Sequence, residues 1–195
     1  FVDLTEVPSA CFGAVFLKRE ALEHVGNLDK RYKSYYEDVD WSFRCWLKGW
    51  TIVPAAKSVV FHKFGASYGE DAKKLKMVAK NRLRIVLKLF KGRIMLGFLK
   101  RYIKEDIKNT LSLLKKKNYS LFFSYIRAYF SLLLGSPLIF FQRRSVMKNK
   151  IKGLNEKFVL KKNPELFSCC DDHGDPIVDS GKIFEYYRWE FMRRK

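Results

Sequence analysis

The chain has 195 residues, 48% of them hydrophobic, with 39 Lys/Arg against 20 Asp/Glu and a formal charge of +19. That is enough apolar material for one core with an appendage, and it excludes a disordered polymer. The charge is local: residues 1 to 70 carry nine basic and nine acidic side chains, residues 71 to 162 twenty-five against four, and residues 163 to 195 five against seven.

In chain order, Cys11 to Leu17 is an apolar run of strand length, and Arg19 to Val25 reads as a brief helix closed by Gly26. After a turn at Asn27-Leu28-Asp29 comes the run Tyr35-Tyr36-Glu37-Asp38-Val39-Asp40-Trp41, with no Lys or Arg between Lys33 and Arg44. A solvated charged face would intersperse bases at helical spacing. The run is built to hold negative charge beside a cation or a hydroxyl proton. Asp38 to Lys48 reads as a helix with Trp41, Cys45 and Leu47 turned inward and Gly49 at its end. Asp38 and Asp40 fall in its first turn, where free N–H groups favour an ionised carboxylate; the plain alternative is that they cap the helix. Thr51 to Pro54 and Ser58 to His62 form a second strand pair, and Lys63-Phe64-Gly65-Ala66-Ser67 a loop. The neutral part is therefore expected to be α/β.

The basic part differs in kind. From Gly92 to Asn118, Met95, Leu99, Ile103, Ile107, Leu111 and Leu114 recur at helical steps, with Lys100, Arg101, Lys104, Lys108 and Lys115-Lys116-Lys117 on or bordering the other side. Ser120 is placed to cap a second helix, Leu121 to Leu134, which Gly135-Ser136-Pro137 is expected to break before a third segment from Leu138. The longest apolar run, Ala128 to Phe141, is fourteen residues and contains that break, short of the ~20 a spanning helix needs. These helices are expected to lie on an anionic membrane surface, each basic residue contributing roughly 1 kcal/mol; the alternative is a hairpin packed on its own domain. A charge of +19 also suits phosphate backbones. The bases sit beside Leu/Phe-rich faces, however, and no helix-turn-helix, finger or RNP pattern appears, so nucleic acid is not an expected partner.

Cys11, Cys45, Cys169 and Cys170 form no CxxC pair and no finger spacing, which suits free thiols in a reducing compartment. The tail from Asn163 holds Cys169-Cys170-Asp171-Asp172-His173-Gly174-Asp175, ligand types that fit an exposed turn equally well. The chain begins at Phe1 with no leader-like segment and reads as a piece whose upstream part is missing.

The order Gly13-Ala14, Lys18-Arg19-Glu20-Ala21-Leu22, Val25-Gly26-Asn27-Leu28-Asp29, Tyr35 to Asp40, Arg44, Gly49-Trp50, Pro54, His62, Gly65-Ala66-Ser67, Lys80-Asn81-Arg82-Leu83 and Lys88 resembles the acceptor half of inverting family-two glycosyltransferases, rhamnosyltransferase-like members in particular. Leu28-Asp29-Lys30 departs from the family's usual Phe-Asp-Glu, and Lys80 from a common Arg. The resemblance spans about residues 3 to 90 and implies a partial GT-A fold over residues 1–90; apolar spacing and charge set off a basic helical membrane-association region over 91–153 and a tail over 154–195. It implies Asp38 as general base, Glu37 as the group orienting the acceptor or the loop, and Asp40 as the understudy. His62 would ligate Mg²⁺ or Mn²⁺, although a lone His in such a place can equally be a satisfied strand-end residue. Ser67 and Arg82 would lie on the donor side.

The expected partners are a nucleotide-sugar donor, a saccharide or lipid-linked acceptor and an anionic membrane, at the cytoplasmic face of a bacterial envelope. The donor-binding half would lie upstream, and without it turnover is expected to be slight. The competing class is a non-enzymatic membrane or nucleic-acid adaptor.

Overall fold

The computed structural model describes residues 7, 9–55, 58–61 and 72–150. Its elements are α1 (Arg19–Val25), α2 (Glu37–Leu47), α3 (Ala72–Leu89), α4 (Gly92–Lys115) and α5 (Tyr119–Lys148). Among the described residues there is no strand, which overturns the α/β, GT-A expectation for residues 1–90. A strand needs a ladder partner and a covered face. Phe16 is 98% exposed and Phe61 96%, with Val59 and Val60 open beside it. The Val7 N–H donates to the Ile52 carbonyl at 2.8 Å, but no ladder grows from that contact among the described residues.

The first two helices form where the pattern places them. α1 stops at Gly26, whose φ of 85° suits glycine and whose N–H donates to the Leu22 carbonyl. Its buried Ala21 and Val25 pack on Trp41 and Cys45 of α2, and the Trp41 indole donates to the Gly26 carbonyl at 2.7 Å. Cys11 and Cys45 are both free thiols; burial pushes the Cys45 thiol up to about 11.

α3 is the central helix, and its second half is buried nearly all round, polar positions included. Leu83, Val86 and Leu89 meet Tyr32, Phe43, Trp46 and Leu47 on one side and Phe90, Ile94, Phe98 and Tyr102 on the other. Ala79 of α3 and Ala128 of α5, both small, share a further buried cluster with Tyr125.

Buried charges in α3 require partners, and they have them. The Lys88 ammonium, 4% exposed in its side chain, lies 2.6 Å from Asp40 Oδ1 and 3.1 Å from Asp29 Oδ2. Asp40 also takes Arg44 at 2.9 Å and the Tyr32 hydroxyl. Asp29 also takes Arg84 at 3.3 Å and the Gln142 amide at 3.0 Å, and Arg84 in turn donates to Gln142. One network thus joins the loop after α1 to α2, α3 and α5.

α4 buries Ile94, Phe98, Tyr102 and Asp106 rather than the whole expected stripe from Met95 to Leu114. Steps of four advance about 400° at 100° per residue, so such a stripe drifts about 40° each time. Met95 and Leu99 still pack on the core, while Ile103, Ile107, Leu111 and Leu114 have turned to the surface.

α5 runs unbroken through Gly135-Ser136-Pro137, contrary to the expected break. Proline has no N–H for the carbonyl four residues back. That carbonyl belongs to Leu133, and Ser136 Oγ donates to it at 2.8 Å. The helix is capped by Asn118, which accepts from the Leu121 N–H, not by Ser120.

Burial pushes the Asp29 carboxyl up, but Lys88, the Arg31 N–H and Arg84 outweigh it and hold the group well below the usual range. A depressed carboxyl stabilises the fold above its unfolded value near about 3.9 and loses that contribution as pH falls. Urea midpoints are therefore expected to drop as pH is lowered from about 5 to 3, with a shallower drop in Asp29→Asn. At pH 7, Asp40→Asn, which leaves Lys88 and Arg44 short of a charge partner, is expected to lose about 3–5 kcal/mol.

Candidate functional site

The acidic run is presented by an unusual piece of backbone. Lys33, Tyr35 and Tyr36 all have positive φ, at 63°, 67° and 72°, a region costly for side-chain-bearing residues, of order 1–3 kcal/mol each. Asn81 of α3, wholly buried, holds this loop: its Nδ2 lies 2.9 Å from each of the Tyr32, Ser34 and Tyr35 carbonyls. Tyr36, the last of the strained residues, is the N-cap of α2 and offers no side-chain cap.

Glu37 and Asp38 then open the helix side by side. Burial pushes the Glu37 carboxyl up, against its own N–H and with the Asp38 charge adding to the rise. Glu37 Oε2 is buried without a hydrogen-bond partner among the described residues. Burial likewise raises Asp38, although the N–H groups of Val39 and Phe12 pull the other way; the Val39 N–H lies 2.8 Å from Asp38 Oδ1. The first-turn position favours ionised carboxylates, as expected from sequence, but desolvation is the stronger effect for both. The segment that brings Phe12 close is fastened by the Ala10 N–H to Ser42 Oγ at 3.2 Å and by the Phe12 ring tilted on Trp41 at 5.6 Å.

The other candidates are placed elsewhere. Asp40 points away from this pair into the Lys88 network and is 0% exposed; it neither caps α2 nor reaches the surface. Arg82 is held by Asp106 and, at 3.6 Å, by Glu105, with its guanidinium 4.4 Å above the Tyr102 ring. Tyr129 of α5 donates to the same Asp106 at 2.8 Å. Arg82 thus ties α3 to α4 in this structure. His62, Ser67 and the Cys169 to Asp175 cluster lie outside the described residues. Among the described residues no group of three or more His, Cys, Asp or Glu side chains is placed to hold a metal ion.

Sequence reasoning missed Asn81 as the fastener of the loop, and Lys88 and Asp29 as the centre of the network. The signal was available: Asn81 and Lys88 fall among apolar positions of α3, where a polar residue needs a specific partner.

No protein-family model, curated protein or solved structure matches the chain.

Asn81→Ala removes the amide that meets three carbonyls, of which Tyr32's keeps the Ser34 N–H, and releases the strained loop. It is expected to destabilise the fold by at least about 2 kcal/mol and to speed amide hydrogen exchange in residues 32–38 more than in α4.

Proposed function

We propose that this chain supplies the acceptor-activating part of an inverting glycosyltransferase working at a membrane surface, with Asp38 as the general base. The observation that carries the reading is the adjacent pair Glu37 and Asp38, displayed at the start of α2 by a strained loop that Asn81 fastens, both with raised proton affinity. The reading rests on that chemistry and on the ordered family-like residues around it, not on the α/β architecture that the helices overturn.

In such a transfer the acceptor oxygen bonds to the anomeric carbon while the nucleotide diphosphate leaves from the opposite face. The hydroxyl proton becomes acidic as the new bond forms, and a carboxylate within hydrogen-bond reach accepts it. Raised proton affinity makes Asp38 a stronger base than a solvated aspartate. Glu37, whose unpartnered Oε2 is buried, would orient the loop around Asp38. A divalent cation, when bound, would neutralise the leaving diphosphate; His62 and Ser67 are the residues assigned to that side, and a donor-binding half is required in addition.

The membrane reading rests on what α4 and α5 leave uncovered. Leu96, Ile103, Ile107, Leu111 and Leu114 share one face of α4, flanked by Arg101, Lys104, Lys108 and Lys115. On α5, Phe123, Ile126, Phe130, Leu133, Leu134 and Phe141, the last 70% exposed, share another. α5 is the one helix among the described residues long and apolar enough to cross a membrane, by length and composition, with 28% of its most apolar window buried. Its inner side is tied to α3 and α4 through Gln142 and Tyr129, and crossing would draw those charged partners into hydrocarbon. An in-plane position, apolar face down and basic flank on anionic headgroups, avoids that. The same faces would serve a non-enzymatic adaptor, and activity separates the two.

With the donor half joined, Asp38→Asn is expected to lower sugar-nucleotide consumption about 10²–10⁴-fold. A carboxyl with a raised folded pKa weakens the fold as pH rises through it, so this variant is expected to melt no lower than wild type at pH 7. Undiminished turnover would remove Asp38 as base.

In flotation, the chain is expected to rise with phosphatidylglycerol vesicles, to be released by salt and to be lost in Phe130→Ser/Leu133→Ser/Leu134→Ser. Equal recovery with phosphatidylcholine vesicles would contradict the electrostatic part.

A further inference from the structure

Between the loop after α1, the end of α2 and the last turns of α5 opens a cleft of about 640 Å³. Its walls carry Lys30, Arg31, Arg44, Lys48 and Lys88 against one carboxylate, Asp29. Asp29 is already taken by Lys88, Arg84, Gln142 and Arg31. Behind the wall, the two carboxylates Asp29 and Asp40 face three largely buried cations, Arg44, Arg84 and Lys88. The low-dielectric side of the cleft therefore holds one positive charge more than it neutralises, before the rim is counted.

At the rim Lys30 and Arg31 are exposed, and the Lys48 ammonium is met by the His24 carbonyl at 2.5 Å, a neutral acceptor. A concave wall with an excess of one sign focuses its field on the opening. The lining is also two-sided: Leu28 and Val146 supply apolar surface, and Ser145 of α5 and its C-cap Asn149 supply polar groups of the kind that bond phosphate oxygens.

We propose that this cleft is a binding site for a phosphate-bearing ligand, its anion set against Lys30, Arg31 and Lys48 and its attached body against Leu28 and Val146. The ligand is either the headgroup of an anionic lipid or a soluble phosphate ester; both present the same anion. The site does not depend on the reaction proposed for Asp38, which lies at the other end of α2, ten residues or about 15 Å along the axis.

The test uses the full chain and two soluble probes, inorganic pyrophosphate and dihexanoyl phosphatidic acid below its micelle concentration, followed by calorimetry and phosphorus NMR. Lys30→Gln/Arg31→Gln/Lys48→Gln is compared with Lys104→Gln/Lys108→Gln/Lys115→Gln, which removes equal charge from α4. Saturable one-to-one binding is expected, weakened at least about tenfold in the cleft variant and less than about twofold in the α4 variant. Lys30→Glu alone, at an exposed position, repeats the comparison should the triple variant fold poorly.

Lipid binding that pyrophosphate displaces assigns the site to a headgroup. Pyrophosphate binding without lipid binding assigns it to a soluble phosphate. Non-saturable binding, or equal loss in the cleft and α4 variants, would overturn the site, leaving only diffuse attraction to a basic protein.

Discussion

A single ammonium group sets the arrangement of the helices. Lys88 stands between Asp29 and Asp40, and through them reaches the loop after α1, α2 by way of Arg44, and α5 by way of Gln142. Taken singly, each of these charges would be costly to bury; taken together they satisfy one another, and that satisfaction fixes the rotation of α2. The rotation decides which of the three neighbouring carboxyls of the acidic run is structural. Asp40 is spent on the ion-pair network, and Glu37 and Asp38 stand outside that network, partly buried at the start of α2.

The site follows from that division. A loop with three side-chain-bearing residues at positive φ does not persist by itself, and Asn81 supplies what it lacks. Because Asn81 and Lys88 stand on the same helix, seven residues or about two turns apart, α3 positions the loop, the adjacent Glu37 and Asp38 carboxyls and the ion-pair network together. Arg82, between them, repeats the device toward α4 through Asp106. On the outer side the protein is apolar where α4 and α5 turn from the core and basic where they border it.

The first two helices were legible in the sequence, whereas the central α3 was not read as a helix. α1 was bounded by its apolar spacing and Gly26, and α2 by its inward Trp41 and Cys45 and the glycine beyond it. The strands were not legible correctly: short apolar runs such as Ser58 to Phe61 look alike whether or not a partner strand exists, and pairing is a property of the whole fold. The continuity of α5 was hidden because Ser136 repairs locally what Pro137 removes. α4 misled because a four-residue step tracks an α-helix only over two or three turns. At the site, the acidic run announced itself by its missing bases, but which acid served the core depended on Lys88, 48 positions on from Asp40, and no local pattern encodes that pairing.

The central claim is that Asn81 and the folded loop hold Asp38 where burial raises its affinity for protons. Direct titration of the Asp38 side-chain carboxyl carbon by NMR, in wild type and in Asn81→Ala, measures this without reference to any substrate. The expected result is a wild-type midpoint above the ordinary aspartate value of 3.8, falling back toward it when the loop is released. A wild-type midpoint at or below that value would contradict the account.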